Sequence, residues 1–86
     1  MNKKLKKLVG ELVLLKWLDS SSCSDWHEKS EPACHGLLLV ETVGWVRCVD
    51  DVKVSVYSSR ILDGSYVSQI MSIPVACVQS VWKLEE

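Results

Sequence analysis

The clearest strand pattern in this chain is Val52-Lys-Val-Ser-Val-Tyr-Ser-Ser-Arg-Ile61, in which three valines alternate with other residue types. Side chains of a β-strand point alternately to opposite faces of the sheet. The alternation therefore predicts that the valines point inward and that Lys53, Ser55 and Tyr57 point outward. A sheet with one buried face is the expected scaffold.

Four other segments have the residue types of strands, and turn signals separate them. Asp50-Asp51 and Asp63-Gly64 suit tight turns between neighbouring strands. Gly44 predicts a bend or bulge inside a strand. Pro74 ends a strand, and Val75-Ala-Cys77 has the length of a single 3₁₀ turn. The predicted strands are residues 11–18, 37–49, 52–61, 66–73 and 78–84, with a long loop over residues 19–35.

These elements predict an all-β domain, a small five-stranded SH3-like or Sm-like barrel with a long first loop and a short 3₁₀ turn before the last strand. Closing the sheet would remove exposed strand edges, which attract other chains. A chain of 86 residues can bury only one sizeable core. We therefore expect a basic tail or short helical turn at residues 1–10 and a single domain at residues 11–86. The aliphatic content of so small a domain also predicts a homo-oligomer, a dimer or larger.

The charge distribution argues against nucleic-acid binding. The net charge is −1, but four lysines lie at the start of the chain, so residues 8–86 carry six basic and eleven acidic side chains. A groove that tracks phosphates needs a basic stripe, and the cations of residues 8–86 are scattered along the sequence.

Neither a secretory leader nor a membrane span is predicted. The apolar run that follows the first lysines contains Glu11 and Lys16 and is too short to cross a bilayer, and no cleavage site of small residues follows it. We therefore expect a cytoplasmic protein with reduced thiols. Structural zinc sites use two closely spaced ligand pairs, so no metal site is predicted. The candidate zinc ligands by residue type lack this spacing; they are Cys23, His27, Cys34 and His35.

The most polar segment is Trp17-Leu-Asp-Ser-Ser-Ser-Cys-Ser-Asp-Trp-His-Glu28, and it lies mainly in the predicted loop. Loops on a rigid scaffold often carry binding residues. The loop carboxylates, His27 and a nucleophile such as Ser21, Ser22 or Cys23 would suffice for hydrolytic chemistry. Loop serines and aspartates more often bond to nearby backbone groups, and no nucleophile-elbow or phosphate-binding motif is present. No enzyme activity and no cofactor are predicted.

The tryptophans are expected in two environments. Trp45, among valines, is the expected core tryptophan, since a Trp buries about 200 Å². Trp26 has Asp25, His27 and Glu28 as neighbours and no apolar residue to bury it. We expect Trp26 at the rim of the loop, stacked on a ligand or partner. The alternative, in which it folds back to cover the barrel, stays open.

Four short motifs follow one another along the chain: Trp17-Leu-Asp-Ser, Asp25-Trp-His-Glu28, Val43-Gly-Trp-Val46 and Ile73-Pro-Val-Ala-Cys-Val78. With Leu84 after them, their order resembles a group of small phage-encoded β-barrel proteins of uncharacterised function, over residues 12–84. The resemblance implies a small β fold and a phage protein that acts in an infected bacterial host. No catalytic residues are assigned in that group, so the resemblance leaves the activity open.

Three functions fit these observations. The first is a binding module that uses the loop to inhibit or redirect a host defence protein. The second is a sponge that sequesters a nucleotide-like small molecule between protomers, with Trp26 stacked on a base and an arginine facing phosphate. The third is Sm-like binding of single-stranded nucleic acid. The acidic loop favours the first. The predicted site residues are Asp19, Ser20, Ser21, Ser22, Asp25, Trp26, His27, Glu28, Arg47 and Arg60.

Overall fold

The computed structural model of this chain describes residues 1–20, 26, 28–30 and 37–86. All strands pair antiparallel in one sheet of order β4-β3-β2-β1-β5. The predicted all-β class, the five strands and the 3₁₀ turn before the last strand are confirmed, and each strand boundary lies within one residue of its predicted position. The elements are a helix α1 (Asn2–Lys6), strands β1 (Leu12–Asp19), β2 (Leu38–Val49), β3 (Lys53–Arg60) and β4 (Val67–Pro74), a 3₁₀ turn (Val75–Cys77) and strand β5 (Val78–Lys83).

The sheet is open. β4 and β5 lie at its two edges, and within the described residues no pairing joins them. β4 suits an edge because Pro74 has no N–H to donate. Gln69 also has a φ of 58°, in the left-handed region, which interrupts a regular ladder. The expected closure of the sheet is therefore not observed, and among the described residues the outer edges of β4 and β5 have no partner strand.

The core is formed by alternate residues of β1 together with apolar residues of the neighbouring elements. Val13, Leu15 and Trp17 point into it, as the period of two requires. Trp17 is 8% exposed, and its indole N–H donates to the Thr42 hydroxyl at 3.0 Å, so its polar atom has a partner. The buried core residues are Leu5, Val13, Leu15, Trp17, Val46, Val54, Val56, Ile73, Val78 and Val81.

Three placements predicted from the sequence are wrong. Trp45 is partly exposed rather than in the core, because Val46 beside it points to the core and strand alternation turns Trp45 to the other face. Near β3, Val52 precedes the strand and is exposed, whereas Ser55 is buried. Ser55 tolerates burial because its hydroxyl forms a hydrogen bond with that of Ser72 on β4 at 2.8 Å.

The irregularity predicted in β2 at Gly44 lies elsewhere in the strand. The register between β2 and β3 shifts between Val46 and Cys48, which places the bulge at Arg47. Gly44 is a point of close approach instead: a Cβ built there would lie 2.8 Å from the carbonyl oxygen of Tyr57. Glycine is needed at this position because it has no side chain.

The first ten residues pack onto the sheet. Leu5 of α1 is fully buried. The Gly10 N–H donates to the Val46 carbonyl at 2.8 Å. On the same segment, the Asn2 amide and the Lys6 ammonium reach the Asp51 carboxylate at 2.9 Å and 3.7 Å.

Aspartates organise the turns at both ends of β3. Asp50 Oδ1 accepts hydrogen bonds from the backbone N–H groups of Lys53 and Val52. Asp63 Oδ1 accepts from the hydroxyl and the backbone N–H of Ser65. These hydrogen bonds favour the charged carboxylates and lower the pKa of Asp50 and of Asp63 below the usual range.

Candidate functional site

The β1–β2 hairpin extends past the rest of the sheet. In the described pairings, β5 follows β1 as far as Trp17, and β3 pairs with β2 from Trp45 onward. Beyond Trp17 the hairpin continues with the pairs Leu18–Leu39 and Asp19–Leu38. We call these four paired residues the arm. The arm carries the segment 20–37, which contains most of the predicted loop.

Large apolar side chains are exposed at the arm and in the segment that it carries. Leu37, Leu38 and Leu39 are 68%, 54% and 61% exposed, and Trp26 is fully exposed at 101%. Consecutive strand residues face opposite sides, so Leu38 and Leu39 present apolar surface on both faces of the arm. Single exposed apolar residues are ordinary, but exposed apolar residues that lie together, as the three consecutive leucines do, are typical of interaction sites. Trp26 does not cover the sheet.

The other described loop residues that the sequence singled out are Asp19, Ser20 and Glu28. Asp19 ends β1, and its Oδ1 accepts a hydrogen bond from the Ser20 backbone N–H at 2.8 Å. This is the kind of local backbone contact that aspartate side chains commonly make. Ser20 and Glu28 are exposed. The predicted site residues outside the described part of the chain are Ser21, Ser22, Asp25 and His27.

The two predicted arginines belong to the sheet. Arg47 is the bulge residue of β2, and the strand between Leu38 and Arg47 is roughly 30 Å long at the usual rise per residue. Arg60 ends β3 and contacts Trp45 and Glu86. Within one chain the structure does not bring Arg47 together with the arm.

The sequence interpretation missed a cluster around Trp45. The Tyr57 ring, opposite Trp45 in the β2–β3 ladder, stacks on it with 5.6 Å between centroids and 24° between planes. The Arg60 guanidinium lies 4.1 Å from the centroid of the Trp45 ring, a cation–π contact. Glu86 Oε1 accepts hydrogen bonds from Trp45 Nε1 at 3.0 Å and from Arg60 Nη2 at 3.1 Å. Strand alternation could have indicated this cluster, because it places Trp45 and Val46 on opposite faces of the sheet.

The described residues include few groups with metal-binding or redox chemistry. Within them, no set of three His, Cys, Asp or Glu side chains lies close enough together to hold a metal ion. Cys48 and Cys77 are free thiols. No helix in the described part of the chain is long and apolar enough to cross a bilayer. The candidate zinc ligands lie outside the described residues; they are Cys23, His27, Cys34 and His35.

Comparison of the chain with known proteins found no matching protein family, no matching curated protein and no matching solved structure.

Proposed function

We propose that this chain is a non-enzymatic binding module, a phage accessory protein that uses the arm and the loop at residues 19–35 to bind a host defence protein and inhibit or redirect it. Its place of action is the cytoplasm of the infected bacterium. The observation that carries the proposal is the exposed apolar surface of the arm leucines and Trp26. This surface stays in water in the single chain, and its burial against a partner is favourable.

The apolar area and the charge of this surface indicate which kind of partner it would bind. Burial of a Trp removes about 200 Å² from water, which is worth roughly 5 kcal/mol before the costs of association. Central aromatic residues dominate the energy of many interfaces. The loop at residues 19–35 contains four acidic side chains and one basic side chain, Lys29. We therefore expect a partner with an apolar pocket and a basic rim.

Affinity capture from a bacterial host lysate tests the proposal, with the wild type compared with Trp26→Ala and Trp82→Ala. Trp82 lies on β5 and is 46% exposed, so its variant makes the same change at an exposed site on an edge strand. We expect the wild type and Trp82→Ala to capture one host protein and Trp26→Ala to lose it. Equal capture by all three proteins would exclude Trp26 from the recognition surface.

The alternative proposal is a sponge that sequesters a nucleotide-like small molecule between protomers. One observation favours it: Arg60 and the Trp45 indole N–H donate to the same carboxylate oxygen, so the sheet presents donors suited to an anionic group. A site that also includes Arg47, Ser20 and Trp26 needs a second protomer. A purified protein that carries a nucleotide and captures no host protein would support the sponge. Sm-like binding of single-stranded nucleic acid is a third proposal, and it requires a basic stripe.

We also propose a homo-oligomer, a dimer or larger, and an SH3-like or Sm-like identity for the fold. The order of the elements and the 3₁₀ turn before β5 support the fold identity. Within the described ranges the outer edges of β4 and β5 have no partner strand, which supports association, because an exposed edge can pair with a strand of another copy. Sedimentation equilibrium at micromolar concentration is expected to show a dimer or larger. A monomer would remove any site between protomers.

A further inference from the structure

A carboxylate of this chain occupies a pair of donors on the sheet. Glu86 Oε1 accepts from Trp45 Nε1 at 3.0 Å and from Arg60 Nη2 at 3.1 Å. We call Trp45 and Arg60 the cradle. Tyr57 stacks on the Trp45 ring, and the Arg60 guanidinium lies over the same ring. Contacts within the cradle and with Tyr57 therefore help to position both donors, in addition to the contact with Glu86.

The contact between Glu86 and the cradle is weak enough for another carboxylate to replace it. The side chains of Arg60 and Glu86 are 42% and 47% exposed, and ion pairs at this exposure contribute little because water and salt compete with them. The Leu84 N–H donates to the Leu12 carbonyl at 2.8 Å, which fixes the chain two residues before Glu86. A short tether keeps the local concentration of Glu86 high at the cradle. A carboxylate from another molecule must therefore compete with Glu86.

We propose that the cradle is a binding site for an acidic side chain of a partner protein, and that Glu86 occupies this site in the free protein as an internal competitor. The chemistry of the ligand follows from the present occupant. A glutamate on the segment that follows β5 satisfies both donors, so a glutamate or aspartate on a partner segment can make the same two hydrogen bonds. The cradle lies on the sheet and not on the arm, so this proposal does not depend on the proposed function of the arm.

NMR spectra of the indole N–H signals test this proposal on the full chain, with the blocked tripeptide acetyl-Leu-Glu-Glu-amide as the probe. The Trp45 signal is the one that Trp45→Phe removes. Glu86→Ala removes the competitor, and Glu85→Ala makes the same change in charge one residue away. We expect the tripeptide to shift the Trp45 signal and to bind Glu86→Ala about two- to six-fold more tightly than the wild type or Glu85→Ala, the factor expected for loss of an exposed ion pair. Adding Arg60→Gln to Glu86→Ala should abolish the shift.

Results of four kinds would overturn the proposal. The first is equal affinity of the tripeptide for Glu86→Ala and the wild type, or no shift of the Trp45 signal in Glu86→Ala. The second is unchanged binding after Arg60→Gln. The third is equal affinity for acetyl-Leu-Gln-Gln-amide, which would show that the carboxylate is not recognised. The fourth is tighter binding of inorganic phosphate than of the acidic tripeptide, which would assign the cradle to phosphate instead.

Discussion

The two ends of the β1–β2 hairpin contain similar apolar residues in opposite surroundings. Where β5 pairs with β1, Leu15 is fully buried. In the arm, Leu38 and Leu39 keep more than half of their surface exposed. The side chains have the same hydrophobicity at both ends, so the difference comes from the neighbouring strands and core. Hydrophobicity predicts a strand in this chain, but it does not predict which part of the strand is covered.

This difference in exposure separates the residues that we expect to determine stability from those that we expect to determine binding. Apolar surface that is buried in the core stabilises the fold, whereas apolar surface in the arm contributes little until a partner covers it. Substitutions in the core should therefore change the free energy of unfolding, and substitutions in the arm should change binding.

The largest effect is expected from a matched pair of leucine substitutions on the same hairpin. Leu15→Ala should cost about 2–5 kcal/mol of stability, because it leaves a cavity in the core. Leu39→Ala should change stability by about 0.5 kcal/mol or less, as is usual for exposed positions. Urea denaturation of both variants measures the two losses. Similar losses would show that the arm is packed in solution and would remove the distinction between the two ends.

The contact between β2 and β3 at Gly44 should give the next largest effect. Gly44→Ala places a methyl group against the Tyr57 carbonyl and should cost about 1–3 kcal/mol, the usual range for overpacking. Hydrogen exchange should show faster exchange of the amides that join β2 to β3. The control is Val43→Ala, since Val43 is half-exposed and its truncation adds no atom at the contact. Unchanged exchange in Gly44→Ala would contradict this expectation and show that the sheet accommodates the methyl group without loss of the hydrogen bonds between β2 and β3.

The smallest effect is expected from the turn aspartates at low pH. The pKa of Asp50 and of Asp63 is lower in the folded protein than in the unfolded chain, so the unfolded state binds more protons between the two values. The stabilisation from these carboxylates is therefore complete above the unfolded pKa and is lost as the pH falls through the folded pKa. Asp50→Asn combined with Asp63→Asn should make the acid-induced loss of stability shallower than in the wild type. An NMR titration that gives ordinary pKa values for both carboxyls would contradict this expectation.

The sheet was predictable because its signals are local. Alternation, Pro74 and the aspartate turns mark where strands begin and end, and these features act within a few residues. The open edges were not predictable, because closure depends on the positions of β4 and β5 relative to each other. The burial of Ser55 was missed for the same reason, since its partner, Ser72, is on another strand.

The candidate site was predictable only in part. The polar neighbours of Trp26 favoured an exposed position but left open that it covers the barrel, and the structure shows it exposed. The sequence also marked Trp45 as buried because its neighbours are apolar, and this was wrong. Because neighbouring strand residues face opposite sides, Trp45 lies on the face opposite to that of the buried Val46. The period of the strand therefore predicts the burial of Trp45 better than the composition of its neighbours does. The contact of Trp45 with Glu86 joins distant parts of the chain and had no local signal.

The most direct test of the proposed recognition surface is the dissociation constant for the captured host protein, measured by calorimetry with the wild type, Trp26→Ala and Trp82→Ala. We predict that Trp26→Ala weakens binding by about 2 kcal/mol or more, roughly thirty-fold, while its Tm stays at the wild-type value. Trp82→Ala should bind as the wild type does. An unchanged dissociation constant for Trp26→Ala, or a loss of binding that accompanies unfolding of this variant, would contradict the assignment of recognition to the arm and its loop.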